Sequence, residues 1–255
     1  MDGKTDFLRL IEADIDRRLA GEDTGLLKEF TRRFWARVPQ EDLVARESED
    51  AAGITLACWH LLLRRPPDAS GVVVLNPDYE RDGWETSHSV VQIVHSDMAF
   101  ITDSVLMALT HHGLQTHHLQ NVIFATERDA KGRLTAFSDA SDANREVLIY
   151  AEVDRLDERQ LKDLRERLTE ILADVRSVVA DFQSMRDRVM SLAEEARGMD
   201  RDEAGESAAF LEWLLDNNFT FLGYREFEIG RQIKQIKGSE LGVMRGRRSA
   251  STREI

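Results

Sequence analysis

One stretch limits the fold of this chain more than any other. Between Asp157 and Gly198 there is no glycine or proline, and Leu161, Leu164, Leu168, Ile171, Val175, Val178, Phe182, Met185, Val189 and Leu192 recur in alternating steps of three and four. This is the spacing of a helix with one sustained apolar stripe. Asp157 is a suitable N-cap, so the pattern predicts a helix over 158–197, roughly 60 Å long at about 1.5 Å per residue. A kink near 181–184 is left open. Two arrangements satisfy such a stripe: the helix covers a sheet, or it pairs with a second copy. The stripe broadens at Ile171-Leu172 and Val178-Val179, which suits burial on more than one side. The first half therefore reads as core. The C-terminal half, through Phe182, Met185, Val189 and Leu192, reads as a candidate assembly helix.

The rest of the chain divides by its punctuation. All four prolines (Pro39, Pro66, Pro67, Pro77) lie in the first third. Before Pro66 the period is helical: Phe7, Leu8, Ile11, Ile15 and Leu19, then Leu26, Leu27, Phe30, Phe34 and Val38, then a short helix at 42–44, then Ile54 to Leu62. Pro66-Pro67 must end the last of these. After 66 the period changes. Segments 72–75, 89–95 (SVVQIVH), 114–126 and 146–153 (EVLIYAEV) are rich in valine and isoleucine and read as strands. Asp97 is placed to cap a helix carrying Phe100, Ile101, Val105, Leu106 and Leu109, and Gly113 to end it. Residues 129–132 read as a turn and 138–145 as a polar loop. Residues 199–205 read as an acidic linker, 208–215 as helix, 219–227 as a strand with 233–236 as its hairpin partner. The glycine-bearing tail runs on through RRSASTRE and looks like a second module cut short.

From residue 89 the order is strand, helix, strand, strand, helix. That is the ferredoxin-like βαββαβ order without its last strand. We expect 72–75 to supply the missing edge by pairing with 90–94. The fold class is thus α+β, with a helical layer (1–66), an antiparallel sheet domain with its long helix (67–198), and a linker with the start of a second module (199–255).

Charge and motifs exclude several functions. The 255 residues carry 34 Lys+Arg against 47 Asp+Glu, a formal charge of −13. A nucleic-acid or anionic-membrane surface wants the opposite sign. No apolar run is long enough for a transmembrane helix, the N-terminus lacks the apolar core of a signal peptide, and Cys58 is the only cysteine. A cytoplasmic protein is expected. No phosphate-cradling glycine motif occurs, and Gly238, Gly242 and Gly246 read as loop glycines. His95, His111-His112 and His117-His118 lack metal-site spacing, because adjacent histidines on a strand face opposite ways; they read as solvated or locally bonded. Cys58 reads as a packing residue. The turn Ser96-Asp97-Met98-Ala99-Phe100-Ile101, between a central strand and its helix, is the candidate effector-binding turn, since helix N-terminal amides hold carboxylates.

VVQIVHSDMAFITDSVLMALTHHGL (90–114) resembles the N-terminal region of the large bacterial NAD-specific glutamate dehydrogenases. So do FWARVPQEDL (34–43), LNPDYERDGW (75–84), EVLIYAEVDR (146–155), AFLEWLLDNNFTFLGYREFE (209–228) and GSELGVMR (238–245), in the family's order. The resemblance implies an ACT-type regulatory part of a much longer enzyme that deaminates L-glutamate oxidatively to 2-oxoglutarate and ammonia with NAD. It implies no catalytic, cofactor-binding or metal residue in these 255, with NAD bound elsewhere in the polypeptide. It implies a homo-oligomer, allosteric regulation and a small amino-acid effector. Amino-acid-binding ACT turns usually carry Pro-Gly where this chain has Ala99 and Phe100. Phenylalanine there fills space that glycine leaves open, which favours the alternative of a pure oligomerisation module.

Overall fold

The computed structural model describes residues 3–65, 70–140, 143–199 and 202–246. The helix stop at Pro66-Pro67, Asp200 of the expected linker and the RRSASTRE tail lie outside the described residues. Contacts group the chain into two units, one up to Glu170 and one from Ile171 onward.

The first unit opens with helices α1 (Gly3–Arg18), α2 (Gly25–Trp35), α3 (Gln40–Val44) and α4 (Ser48–Leu63). Each turns its apolar stripe inward. Phe7, Ile11 and Ile15 of α1, Phe30 and Phe34 of α2, Leu43 of α3 and Ile54, Cys58 and Leu62 of α4 are buried in one core. Polar side chains fix the helices to one another. Lys4 Nζ donates to the carbonyls of Ala36 (2.8 Å) and Val38 (2.7 Å) at the end of α2, where a cation suits the helix dipole. Arg18 donates to the carbonyls of Glu49 (2.9 Å) and Gly83 (3.0 Å).

Strand β1 (Gly71–Leu75) is followed by a single turn, α5 (Tyr79–Asp82), capped by Asp78. Then come β2 (Ser89–Ser96), α6 (Ile101–His111), β3 (Thr116–Arg128), β4 (Leu134–Phe137), β5 (Asn144–Val153) and α7 (Glu158–Arg197). The strands form one antiparallel sheet in the order β1-β2-β5-β3-β4. This is the ferredoxin-like arrangement, with β1 in the place of the fourth strand. Its register pairs Val72 with Ile93 and Leu75 with Val90. Strand β4 carries no signal of its own in the sequence; it is the four-residue return of a hairpin on Asp129, whose carboxylate accepts from the amides of Lys131 and Arg133.

Two termini show why α6 and α7 begin and end where they do. Asp157 and Gln160 form a reciprocal capping box: Gln160 N donates to Asp157 Oδ1 (2.8 Å) and Asp157 N to Gln160 Oε1 (2.9 Å). Past α6, Gly113 takes φ +70°, Gly113 N reaches Thr110 O and Leu114 N reaches Leu109 O. Those two bonds satisfy carbonyls the helix would leave open.

The helical layer covers one face of the sheet, since Val90, Val94, Val122, Phe124, Leu148 and Tyr150 belong to the same core as α1–α4. Strands β2 and β5 are buried on both faces. That explains their unbroken apolar runs. Strand β3 alternates buried and exposed residues along most of its length.

Among its described residues the second unit holds α7 from Ile171, then α8 (Asp202–Trp213), a π turn (Leu214–Asn218) and four short strands. These are β6 (Gly223–Tyr224) paired with β9 (Leu241–Gly242), and β7 (Phe227–Ile229) paired with β8 (Ile233–Gln235). The expected strand 219–227 is therefore two short pieces. Helix α8 takes up 202–205 of the expected linker, because acidic residues suit a helix N-terminus as well as they suit a loop. Val178, Met185, Val189 and Phe221 form this unit's core, with Leu211, Leu214 and Tyr224 against it. Asp181 accepts from Gly242 N (2.8 Å) and from Arg245 Nη2 (2.7 Å), which ties β9 to the helix.

Gly53, in the middle of α4, has the Trp84 side chain where a Cβ would go. Gly53→Ala should lower the denaturant midpoint. Overpacking by about 1–3 kcal/mol outweighs the helix-propensity gain of about 1 kcal/mol. An unchanged or higher midpoint would show that Trp84 yields without cost.

Candidate functional site

The turn between β2 and α6 is held from two directions, by Arg145 of β5 and by Arg65 beyond α4. Asp97 N donates to Arg145 O (2.8 Å), and Arg145 Nε donates to Asp97 Oδ2 (3.1 Å). Ser96 Oγ accepts from Arg65 Nη2 (3.0 Å). Asp97 does not cap α6. Its carboxylate is drawn to the Arg145 cation, and the cap position falls to Phe100, which makes no side-chain capping bond. The first amides of α6 are thus without a side-chain acceptor, the condition in which a helix N-terminus takes an anion. Phe100 has φ +71° and ψ −5°, and its residue surface is 43% exposed. A left-handed backbone costs a non-glycine residue roughly 1–2 kcal/mol. The phenylalanine has therefore kept the backbone shape that glycine would give.

Beside the turn lies a buried charge cluster. Glu146, the register partner of Ser96, is 2% exposed. Its carboxylate meets Arg65 Nε (3.1 Å), Arg128 Nη2 (2.7 Å) and Thr126 Oγ1 (2.9 Å). Arg128 also donates to Leu62 O (2.8 Å) and Gly132 O (2.6 Å). Strands β3 and β5 and helix α4 therefore meet through one guanidinium.

At the other end of β5 a second cluster forms. Glu152 accepts from Arg46 Nη1 (2.6 Å) and from the Tyr150 hydroxyl (2.7 Å). Burial works to raise the Glu152 pKa, yet Arg46 and the Tyr150 hydroxyl hold it below the usual carboxylate range. Burial, and then the Glu152 charge, push the Tyr150 phenol well up. His88 Nδ1 is 3.6 Å from Glu152 Oε2, and its ring lies 4.2 Å from that of His117. His117 Nε2 is 2.8 Å from Asp154 Oδ1. Burial, and then the neighbouring Arg46 cation, lower the His118 pKa.

The remaining residues singled out in the sequence fall elsewhere. His95 is buried, with Nδ1 2.8 Å from Ser96 O. His111 and His112 end α6, exposed. Cys58 is buried beside Gln92 Nε2 (3.5 Å), and burial pushes its thiol pKa up, away from thiolate chemistry. On α7, Met185 and Val189 are spent in the core of the second unit, Phe182 is half-buried and Leu192 is exposed. Among the described residues no three His, Cys, Asp or Glu side chains are placed to hold a metal ion. No described helix is long and apolar enough to cross a membrane. Sequence reasoning missed Arg65, Arg128, Glu146, Arg46 and Glu152. The signal was there: in EVLIYAEV two carboxylates fall on one face of a strand that is otherwise apolar, and such charges need partners.

Comparison with known proteins adds the following. The model of the family described as glutamate dehydrogenase, ACT1 domain, matches residues 30–168. A protein of Halomonas elongata named NAD-specific glutamate dehydrogenase is 37% identical over 260 residues, covering 96% of this chain. One of the same name from Pseudomonas aeruginosa is 35% identical over 257 residues, covering 95%. The chain spans 16% of the length of each.

Two outcomes follow from the geometry. Phe100→Gly should be more stable than Phe100→Ala by about 1 kcal/mol, because only glycine relieves the left-handed strain; equal midpoints in urea would count against strain at this turn. The lowered His118 pKa means that the unfolded chain takes up this proton first as pH falls below about 6.5. Stability should therefore decline as pH falls from about 6.5 towards the lower folded-state pKa. His118→Gln should flatten that part of a melting-temperature profile; an unchanged slope would assign it to other groups.

Proposed function

Since the chain belongs to the family of the glutamate dehydrogenase ACT1 domain, we propose that it is the non-catalytic, N-terminal regulatory and assembly segment of a large NAD-specific glutamate dehydrogenase. In this reading the whole cytoplasmic protein converts L-glutamate and water to 2-oxoglutarate and ammonia, with hydride passing to NAD. NAD and the residues that act on glutamate belong to polypeptide beyond these 255 residues. The observation that carries the reading is the coincidence of two spans. The family match, 30–168, runs from α2 to the first turns of α7, within the unit that holds the ferredoxin-like sheet.

The regulatory part of the proposal rests on the turn. A small amino-acid effector would place its carboxylate on the first amides of α6, beside Ser96 and Asp97. Those residues are bonded to Arg65 and Arg145. A ligand that shifts either bond acts on β5 directly and on the helical layer through Arg65. Regulation requires that the effector contact two states of the enzyme unequally. The second reading, a pure oligomerisation module, is favoured by Phe100: its exposed ring stands where an effector's backbone contact would lie. Leu192 and Phe182 would then extend that role along α7.

The test is thermal unfolding of the purified chain with a panel of amino acids, 2-oxoglutarate and NAD, alongside an NADH absorbance assay with glutamate and NAD. A ligand at about 100 times its Kd should add about 2.7 kcal/mol. A shift with one amino acid, lost on altering 96–101, would support regulation. No shift with concentration-dependent mass would support assembly alone. NADH production by the chain itself would overturn the proposal.

A further inference from the structure

A groove of about 460 Å³ runs between the edge strand β1 and the first turns of α7, within the first unit and distinct from the turn at 96–101. Its floor is apolar where Val74 of the strand and Leu161 of the helix line it; Leu75 borders the groove but packs its side chain against the helical-layer core on the other face. Its walls are cationic. Lys162 and Arg165 project from α7, three residues apart and so on one helical face, and Arg81 stands on the α5 side. One carboxylate, Glu158, also lines it and a second, Asp82, pairs with Arg81, leaving one net positive charge, on the α7 side, in a chain whose formal charge is −13. These cations are differently committed. Arg81 is occupied by Asp82 (Nη2 to Oδ2, 2.8 Å) and by Asn76 O (2.8 Å). Lys162 has only a long contact with Glu166, at 3.9 Å. Arg165 makes no side-chain hydrogen bond or ion pair among the described residues.

We propose that this groove binds a short-chain aliphatic dicarboxylate. One carboxylate pairs with the Arg165 fork and Lys162, the methylene spine lies over Val74 and Leu161, and the second carboxylate faces Arg81. Guanidinium groups match carboxylates by planar geometry as well as charge. The apolar floor separates a diacid from a bare inorganic anion, which gains nothing from it. Glu158, at the N-terminal end of α7, disfavours a third acidic group. The site is independent of the effector turn, and either can stand without the other.

Calorimetric titration of the 255-residue chain with glutarate tests this, with butyrate and sulfate as comparison ligands. Glutarate should bind at least tenfold more tightly than butyrate or sulfate, and its affinity should fall with added salt. Arg165→Glu and Lys162→Glu, both at exposed helical positions, should each weaken glutarate at least tenfold while the melting midpoint holds. Asp97→Ala, at the other site, should leave glutarate binding unchanged. Absence of glutarate binding would overturn the proposal. So would affinity that Arg165→Glu does not touch, or sulfate binding as tightly as glutarate, which would reduce the groove to a general anion patch. Loss of glutarate binding through Asp97→Ala alone would transfer the diacid to the turn and overturn the groove while supporting the effector reading.

Discussion

Glu146 and Glu152 sit on one face of β5, in a strand buried on both sides, and each is answered by an arginine from the helical layer. An ionised carboxylate taken out of water without a partner costs several kcal/mol. Arg128 and Thr126 of β3 meet Glu146 from within the sheet, Arg65 of the helical layer adds a second cation to it, and Arg46 is the arginine that reaches Glu152. The helical layer therefore does more than cover apolar surface. It supplies two of the cations that make the central strand tenable, and each comes from a different place: Arg46 just after α3, Arg65 just after α4. A swollen or sliding interface would break two buried pairs at once, which opposes any arrangement in which the layer and the sheet part as separate domains.

The same pairing explains how the candidate turn is held. Arg65 bridges Glu146 and Ser96, and Arg145, next to Glu146 in sequence, holds Asp97. The loop after β2 thus takes its shape from β5 and from the end of α4 rather than from its own residues. Asp97 would cap α6 in isolation, but a full cation opposite outweighs a backbone amide as its partner. The consequence is an α6 without a side-chain cap and a phenylalanine in a glycine-like conformation. This is where local preference yields to tertiary demand.

Much of the architecture was legible before any coordinates. The Asp157 cap and the Gly113 stop follow from signals within a few residues of each other, and the ferredoxin-like order with 72–75 beside 90–94 follows from the order of the elements along the chain. What escaped were features whose cause lies far away in sequence. Strand β4 exists because β3 offers an edge, not because LTAF is a strong strand. The C-terminal half of the α7 stripe reads as a candidate assembly helix, yet Met185 and Val189 meet Phe221 of their own chain. The charges on β5 announce a need for partners, but not which arginines meet it.

By itself, then, the sequence determined periodicity: which segments are helices or strands, where they stop, and which faces are apolar, because those depend on local sterics and on burial of one stripe. Only the tertiary structure decided which side chains pair. Arg46 with Glu152, Arg65 with Glu146, Asp97 with Arg145 and Arg65 with Ser96 join residues 31 or more positions apart. Such contacts form only once chain entropy has been overcome by the whole core, so no local pattern can specify them.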